Sequence, residues 1–202
     1  MNKYNFGQYL NIERWSSYWY QIDLILAYCP KSILEIGVGD KVVGSYLKAN
    51  FPDVVYKSFD NDEKLHPDIL GSIENYAFPA GQYDLVCAFE VLEHLPFEKF
   101  PAILTKLKRA SREYVIISLP RWGRHFSLEI RLPFFGEIKC QYKFNFFPIE
   151  HKFDGQHFWE IGKKGYSLKK VKENIALSGL KIVKDFMAFE SPYHHFFILK
   201  KV

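Results

Sequence analysis

Cysteine is scarce in this sequence. The chain has 202 residues and three cysteines, Cys29, Cys87 and Cys140. An odd number without metal-type spacing argues against a disulfide framework and against a zinc site, so we expect no bound metal. Free cysteines are typical of a reducing compartment, and the sequence therefore predicts a cytoplasmic protein.

Long hydrophobic runs are also missing. The longest apolar stretch, Leu24 to Cys29, is far shorter than the roughly twenty residues that a membrane span needs, and residues 1–10 do not resemble a signal peptide. Neither sign of charge dominates, because 27 Lys and Arg face 23 Asp and Glu for a net charge of +4. The sequence therefore predicts a soluble protein without a membrane span, and it lacks the long basic runs of a nucleic-acid-binding tail.

Aromatic residues, by contrast, are abundant and make up 18% of the chain. This is more than the core of a small domain should require, so we expect some of them to line a cavity. Hydrophobic residues make up 48%, and a length of 202 residues is that of one domain. We therefore expect one packed domain over residues 1–202.

Strand and helix patterns alternate along most of the chain. Predicted helices cover 14–28, 43–51, 97–110 and 167–179, and predicted strands cover 32–37, 53–60, 68–70, 83–89, 113–119, 180–189 and 194–201. In the first helix, apolar residues that include Trp15 and Trp19 recur at helical spacing, which predicts a helix that only packs. The alternation is typical of a mostly parallel sheet with helices on both faces, and the site should then lie at the carboxyl ends of the strands.

One segment breaks this alternation. Residues 121–153 contain nine aromatics and six Lys or Arg without a clean periodicity. Because the segment follows the fifth strand, we expect an insertion over about 121–155 that overhangs the cleft as a lid and contacts an apolar acceptor. The alternatives are an extra hairpin packed on the body of the domain or a contact in a homodimer.

The strongest chemical signal is the loop after the first strand. Gly37 and Gly39 would let a cofactor approach the backbone, and Asp60 ends the next strand 21 positions after Gly39, where an acid can accept hydrogen bonds from ribose hydroxyls. Together they predict a cofactor that contains a nucleoside. Val42 stands where the dinucleotide fingerprint has its last glycine, which disfavours NAD.

Two motifs in this part of the sequence resemble those of a known protein family. Glu35-Ile36-Gly37-Val38-Gly39 and the downstream segment Tyr83 to Leu95, with its Glu90-Val91-Leu92-Glu93-His94 run, resemble the class I S-adenosylmethionine-dependent methyltransferases, in their small-molecule branch. The resemblance is firm from Ile33 to Pro120. It implies a Rossmann-like, doubly wound α/β fold whose mostly parallel, seven-stranded sheet has an antiparallel C-terminal strand and helices on both faces. The single domain would comprise a helical segment (1–30), a cofactor-binding half (31–120), the insertion (121–155) and a C-terminal helix and hairpin (156–202).

The resemblance also implies which residues contact S-adenosyl-L-methionine. The methionine end would meet the first loop and the fourth strand, the ribose would meet Asp60, and the adenine would meet the residues after the second and third strands. The cofactor-binding residues implied are Glu35, Gly37, Gly39, Asp40, Asp60, Asn61, Ser72, Ile73, Phe89 and Glu90.

Two residues depart from the family pattern. Lys41 stands where many members have a third glycine, and Ser72 stands where an aspartate often receives the adenine amino group. A serine gives a weaker hydrogen bond than a carboxylate or leaves the place to a water molecule. We therefore expect the two departures to reduce cofactor affinity without abolishing it.

The implied reaction is in-line methyl transfer to a small-molecule, sugar or lipid-linked acceptor, in which positioning supplies most of the rate. A general base would help a hydroxyl or ammonium acceptor, and the candidates are His94, Glu93 and His157. Three alternatives remain open: a cofactor-binding protein without turnover, an NAD-dependent oxidoreductase and an RNA-directed methyltransferase. The sequence after Phe89 lacks the motif of base-amine methyltransferases, which disfavours a nucleic-acid substrate.

Overall fold

The computed structural model describes residues 9–134 and 136–202 as an α/β domain. Its helices are α1 (Ile12–Leu26), α2 (Val42–Asn50), α3 (Phe100–Ala110) and α4 (Leu168–Leu177). Its strands are β1 (Ser32–Ile36), β2 (Val55–Asp60), β3 (Ile69–Leu70), β4 (Tyr83–Phe89), β5 (Ser111–Pro120), β6 (Arg124–Leu132), β7 (Gly136–Phe144), β8 (Leu180–Met187) and β9 (His194–Lys201). Within these described residues, no helix has both the length and the apolarity to cross a membrane.

Seven of the strands form one sheet in the order β3-β2-β1-β4-β5-β9-β8. β9 runs antiparallel to both of its neighbours, while the pairs among β1 to β5 are parallel. Ile36 lies opposite Phe59 on one side and Ala88 on the other, so β1, β2 and β4 end at the same edge. The predicted fold class is thereby confirmed, and the carboxyl ends of three strands converge as expected.

Hydrophobic cores cover both faces of this sheet. The strand β4 is buried along nearly its whole length because its side chains alternate between the two cores. Leu85 packs with α1 and α2 on one face, whereas Val86 packs with α3 and α4 on the other. Burial on both faces explains why this strand is apolar almost throughout.

The orientation of α1 differs from the sequence-based expectation. Trp15 and Trp19, members of the predicted packing stripe, are 48% and 61% exposed. The buried side of the helix instead carries Tyr18 and Gln21 together with Leu24. This helix therefore does more than pack, because it turns a polar strip toward the carboxyl edge of the sheet.

The insertion forms a two-stranded hairpin, β6–β7, outside the main sheet. Its polar face contacts the body, where Lys139 bonds Glu190 and Gln141 bonds the Met187 carbonyl at 2.6 Å. Its other face is apolar and exposed, with side chains such as Phe126 and Ile130 turned to solvent. The insertion is therefore a hairpin whose polar face meets the body, while its expected roles as a lid or as a homodimer contact stay predictions.

Candidate functional site

A cavity of about 770 Å³ lies at the carboxyl edge of the sheet. Its wall comes from the ends of β1, β2 and β4, from α1 and from the segment before α4. All the cofactor-binding residues implied by the sequence line it: Glu35, Gly37, Gly39, Asp40, Asp60, Asn61, Ser72, Ile73, Phe89 and Glu90. No described residue of 121–155 does so, which places the hairpin outside the cavity wall.

The first loop approaches the cavity through backbone alone. Gly37 has a φ of +77°, and a Cβ there would meet Val91 Cγ2 at 2.3 Å. Gly39 has a φ of +48°, and a Cβ there would have no neighbour within 4 Å among the residues described. Gly37 is therefore required by packing, whereas Gly39 keeps open the space beside the loop.

Asp60 is held in place by the backbone of two loops. Its Oδ2 accepts a hydrogen bond from the Val38 amide at 2.9 Å, and its Oδ1 accepts one from the Asp62 amide at 2.9 Å. Each carboxylate oxygen has a second lone pair for a further donor. The carboxylate is thus oriented before any ligand binds, and it can still accept hydrogen bonds from hydroxyl groups of a ligand in the cavity.

Glu35 is buried at the base of the same loop and accepts a short hydrogen bond from the Tyr56 hydroxyl. Burial raises the pKa of Glu35 to about 7, against the opposing effect of that hydrogen bond. The Tyr56 hydroxyl also occupies the place where a Cβ at Gly44 of α2 would lie. Glu35 therefore connects the cavity wall to α2 as well as facing the site.

The two departures from the family pattern take different positions. Lys41 adopts a φ of +67° at the N-terminus of α2, and its side chain is absent from the described cavity lining. The loop thus keeps a left-handed residue where a glycine was expected. Ser72 is exposed and does line the cavity.

The sequence reasoning missed the contribution of α1. Arg14, Tyr18 and Gln21 all line the cavity, and the Tyr18 hydroxyl donates a hydrogen bond to Asp40 Oδ2 at 2.6 Å. Burial and this bond to a carboxylate raise the pKa of Tyr18. The spacing of these three residues, four and then three positions apart, places them on one helical face and was the available signal.

At the other end of the cavity lies Glu90, directly after β4, with a φ of +53°. Its Oε2 is 3.7 Å from His194 Nε2, while its buried Oε1 has no hydrogen-bond partner in the described part of the chain. His194 in turn bonds Ser17 of α1 at 2.6 Å, and burial lowers its pKa. This end of the cavity is therefore closed by groups that come from α1, β4 and β9.

The three candidate bases separate into two kinds. His94 and His157 line the cavity, with their ring centroids 5.0 Å apart. Glu93 does not line it and is fully buried, because the short 3₁₀ turn Leu92–His94 directs it inward under the segment that contains His157. Unlike the two histidines, the candidate base Glu93 therefore does not face the cavity.

The causes of the pKa shifts also differ between Glu93 and His157. Burial raises the pKa of Glu93 well above its ordinary value, and the neighbouring charge of Glu90 raises it further. Burial lowers the pKa of His157, but its hydrogen bond to Glu160 at 3.2 Å and the surrounding carboxylates outweigh this, so the pKa is raised overall. The cavity therefore ends in a cluster of carboxylates and imidazoles.

Comparison with known proteins identifies the family. A family model described as a methyltransferase domain matches residues 21–151, more than half of the 202 residues. The chain belongs to this methyltransferase family. The resemblance based on two sequence motifs is thereby confirmed. A search of curated proteins finds no match to this methyltransferase.

Several solved methyltransferase structures share the fold of this chain. An S-adenosylmethionine-dependent methyltransferase from Clostridium acetobutylicum superposes with a TM-score of 0.59 at 8% identity, over 95% of this chain and 92% of that one. The magnesium protoporphyrin IX methyltransferase of Synechocystis with bound S-adenosylhomocysteine gives 0.57 at 12% identity, over 98% and 91%. A Burkholderia thailandensis 1,6-didemethyltoxoflavin-N1-methyltransferase gives 0.60 at 10% identity, over 94% and 78%. At identities this low, the superpositions show a shared fold and nothing more about function.

Proposed function

We propose that the protein is an S-adenosyl-L-methionine-dependent methyltransferase that transfers a methyl group in line to a small-molecule, sugar or lipid-linked acceptor. One observation carries the proposal. The open backbone at Gly39 and the oriented carboxylate of Asp60 meet in the same cavity.

The cavity fits this cofactor in size and in chemistry. Its volume of about 770 Å³ is within the range of small-molecule sites. Asp60 would accept the ribose hydroxyls, Ile73 would pack against the adenine, and Gly39 would admit the methionine portion. Ser72, which is exposed at this wall, would replace the usual carboxylate toward the adenine and make that contact weaker.

When bound, the cofactor supplies an activated methyl group on a positively charged sulfur. The residues of this chain then orient the two partners and exclude water from the space between them. Glu90 and Phe89 lie at the carboxyl end of β4, where they would bound the methionine side. His94 and His157 face the cavity and would contact the acceptor.

The acceptor class rests on the character of the site. The cavity is lined by mixed polar and apolar groups without a run of basic side chains, which favours a small acceptor over a nucleic acid. Solved proteins of the same fold are named as methyltransferases of 1,6-didemethyltoxoflavin and of magnesium protoporphyrin IX, which are both small molecules. A cytoplasmic location stays a prediction from the sequence.

Thermal unfolding with S-adenosylmethionine, S-adenosylhomocysteine and NAD in parallel tests the cofactor. A ligand at 100 times its dissociation constant adds roughly 2.7 kcal/mol of stability. We expect the first two to raise the melting temperature and NAD to leave it unchanged. A shift with NAD alone would support the oxidoreductase, and methyl transfer to any acceptor would exclude a binding protein without turnover.

Asp60→Ala gives a residue-level test of the same proposal. Loss of a charged hydrogen-bond acceptor should weaken S-adenosylhomocysteine binding by about 1.5–3 kcal/mol in calorimetry. Asp53→Ala, at an exposed turn before β2, is the matched control and should leave the affinity unchanged. Equal affinities for the two variants would mean that the ribose lies elsewhere.

A homodimer also stays a prediction, and the apolar face of the β6–β7 hairpin is the surface that supports it. Exposed side chains on this face include Leu128, Ile130 and Ile138. Sedimentation equilibrium of the wild type and of Ile130→Lys measures self-association. A monomeric wild-type protein would contradict the expectation.

A further inference from the structure

The carboxylate and imidazole cluster at the end of the cavity has the composition of a metal site. One ligand atom from each of Glu93, His94 and His157 lies within 4.8 Å of the other two. Donors of a tetrahedral ion, each about 2.1 Å from it, are roughly 3.4 Å apart. Side-chain movements of less than about 1 Å per ligand atom would therefore bring all three atoms to bonding distance.

Glu93 supplies an independent reason to expect a cation. Its side chain is 0% exposed, and neither carboxylate oxygen has a hydrogen-bond partner among residues 9–134 and 136–202. Burial of an uncompensated carboxylate costs several kcal/mol, so such groups are normally paired or bound to metal. Among the described residues, His157 is the cationic candidate that comes within 4.0 Å, and its Nε2 at that distance from Glu93 Oε1 is too far for a hydrogen bond.

The two histidines are held as metal ligands are usually held. His94 Nδ1 lies 3.0 Å from the Gln156 carbonyl oxygen, and His157 Nδ1 lies 3.2 Å from Glu160 Oε1. A ring nitrogen that donates to a carbonyl or a carboxylate fixes the tautomer and leaves Nε2 as the coordinating atom. Glu160 is itself fixed by the Tyr193 hydroxyl at 2.6 Å, so the support extends one residue further.

A second grouping, Asp154, His157 and Glu160, is less suited to an ion. Asp154 is exposed and already accepts hydrogen bonds from the backbone amides of Gln156 and His157. Glu160 is engaged by Tyr193 and His157. Only the Glu93 grouping combines buried, unpartnered oxygens with supported imidazoles among the clusters of the described chain.

We propose that Glu93, His94 and His157 bind a divalent first-row transition metal ion in the wall of the cavity. Two imidazoles favour such ions over Mg²⁺ or Ca²⁺, which prefer oxygen ligands. Glu90 lines the same cavity and has a buried Oε1 without a hydrogen-bond partner among the described residues. Three protein ligands leave coordination positions open toward the cavity; given the proposed methyltransferase function, an oxygen atom of the acceptor would occupy one of them.

Calorimetry and thermal unfolding of the full chain test the site directly. Protein stripped with EDTA and dialysed would be titrated with Mn²⁺, Zn²⁺ and Mg²⁺. We expect one saturable site for Mn²⁺ or Zn²⁺, a rise in melting temperature on binding, and weaker binding of Mg²⁺. Absence of stoichiometric binding by both transition ions, or tightest binding of Mg²⁺, would overturn the proposal.

Variants separate a metal site from a structural cluster. Glu93→Gln and His157→Ala should lower Mn²⁺ or Zn²⁺ affinity at least tenfold, while His125→Ala, an exposed histidine on β6, should not. The melting temperature of metal-free Glu93→Gln should not fall, because the replacement is neutral and nearly isosteric. Unchanged metal affinity in Glu93→Gln would overturn the proposal.

Glu160→Gln keeps the test valid if either ligand variant fails to fold. Loss of a supporting carboxylate typically costs 10–100-fold in metal affinity, and we expect that loss here. Cofactor binding would be measured on the metal-free protein. Failure there would contradict the proposed methyltransferase function and leave the metal result standing, so the two failures are distinguishable.

Discussion

The two ends of the cavity satisfy their polar groups in different ways. At the end where we propose that the cofactor binds, called the cofactor end below, Asp60 accepts hydrogen bonds from two backbone amides and Glu35 accepts one from the Tyr56 hydroxyl. At the opposite end, Glu90 and Glu93 carry buried oxygens that lack hydrogen-bond partners in the described structure. Both ends use carboxylates at the carboxyl edge of one sheet.

This difference shows which end is complete without a ligand. Hydrogen bonds from backbone amides fix a carboxylate at little entropic cost, so the cofactor end is preorganised. Unpartnered buried carboxylates are unfavourable unless they are protonated or meet a cation. The cofactor end should therefore depend on loop geometry, whereas the opposite end should depend on what is bound there.

The largest expected effect comes from Gly37→Ala. The new Cβ would lie 2.3 Å from Val91 Cγ2, in a stiff β-branched side chain, at a residue with a φ of +77°. The strained backbone alone costs roughly 1–2 kcal/mol, and the overlap should bring the loss of unfolding free energy to about 3 kcal/mol or more. Urea unfolding measures this loss.

Gly39→Ala is the matched control for that change. Its φ is +48°, but no described atom lies within 4 Å of the added Cβ. We expect a loss of about 1 kcal/mol in stability from the backbone, with a larger effect on S-adenosylhomocysteine affinity in calorimetry. Equal losses of stability in the two variants would contradict the view that packing requires only Gly37.

Glu35→Gln should change the pH dependence of stability. The raised pKa of Glu35, about 7, means that the folded state holds a proton that the unfolded state releases above its ordinary value near 4.5. Stability should thus fall as pH rises from about 4.5 to 7, by on the order of 3 kcal/mol. The glutamine variant removes this slope and should be the more stable protein at pH 8.

Thermal unfolding of metal-free protein between pH 4.5 and 8 measures that slope. Glu113→Gln, at an exposed ion pair with Lys200, is the control and should keep the wild-type slope. If stability depends on pH equally in the wild type and in Glu35→Gln, the hydrogen bond from Tyr56 already stabilises the charged form of Glu35 enough to offset its burial.

The cofactor end could be predicted from sequence because its residues follow strands. Parallel strands end at one edge of a sheet, so local motifs at Gly37, Asp60 and Phe89 must meet there. Strand ends alone do not determine the order of strands in the sheet, and only the resemblance to a family implied that the C-terminal strand β9 is antiparallel. The burial of Glu93 could not be predicted, because the segment that covers it lies more than sixty residues away and follows the hairpin.

Helix α1 shows a second limit of sequence reasoning. Its tryptophans match a packing stripe, yet they are exposed, and the polar side chains Tyr18 and Gln21 are buried together with Leu24. The hydrophobic pattern cannot distinguish a core face from a face that closes a polar cavity, since the choice depends on the Asp40 carboxylate opposite. The β6–β7 hairpin shows the same limit. An apolar face in a sequence predicts a contact, but it does not show whether the contact is with the body of the domain, with a ligand or with a second copy of the chain.

The smallest expected effect tests the link between α1 and the cofactor end. Tyr18→Phe removes the hydrogen bond to Asp40 and should cost about 1 kcal/mol of stability. It should also lower S-adenosylhomocysteine affinity severalfold, because Asp40 belongs to the cavity wall and loses its orientation.

Tyr20→Phe is the matched control on the same helix, since its hydroxyl donates a hydrogen bond to Glu190 at 2.7 Å outside the cavity lining. That variant should lose a similar stability and keep its affinity. Equal affinities in the two variants would mean that the first loop alone positions Asp40, and that α1 only covers the site.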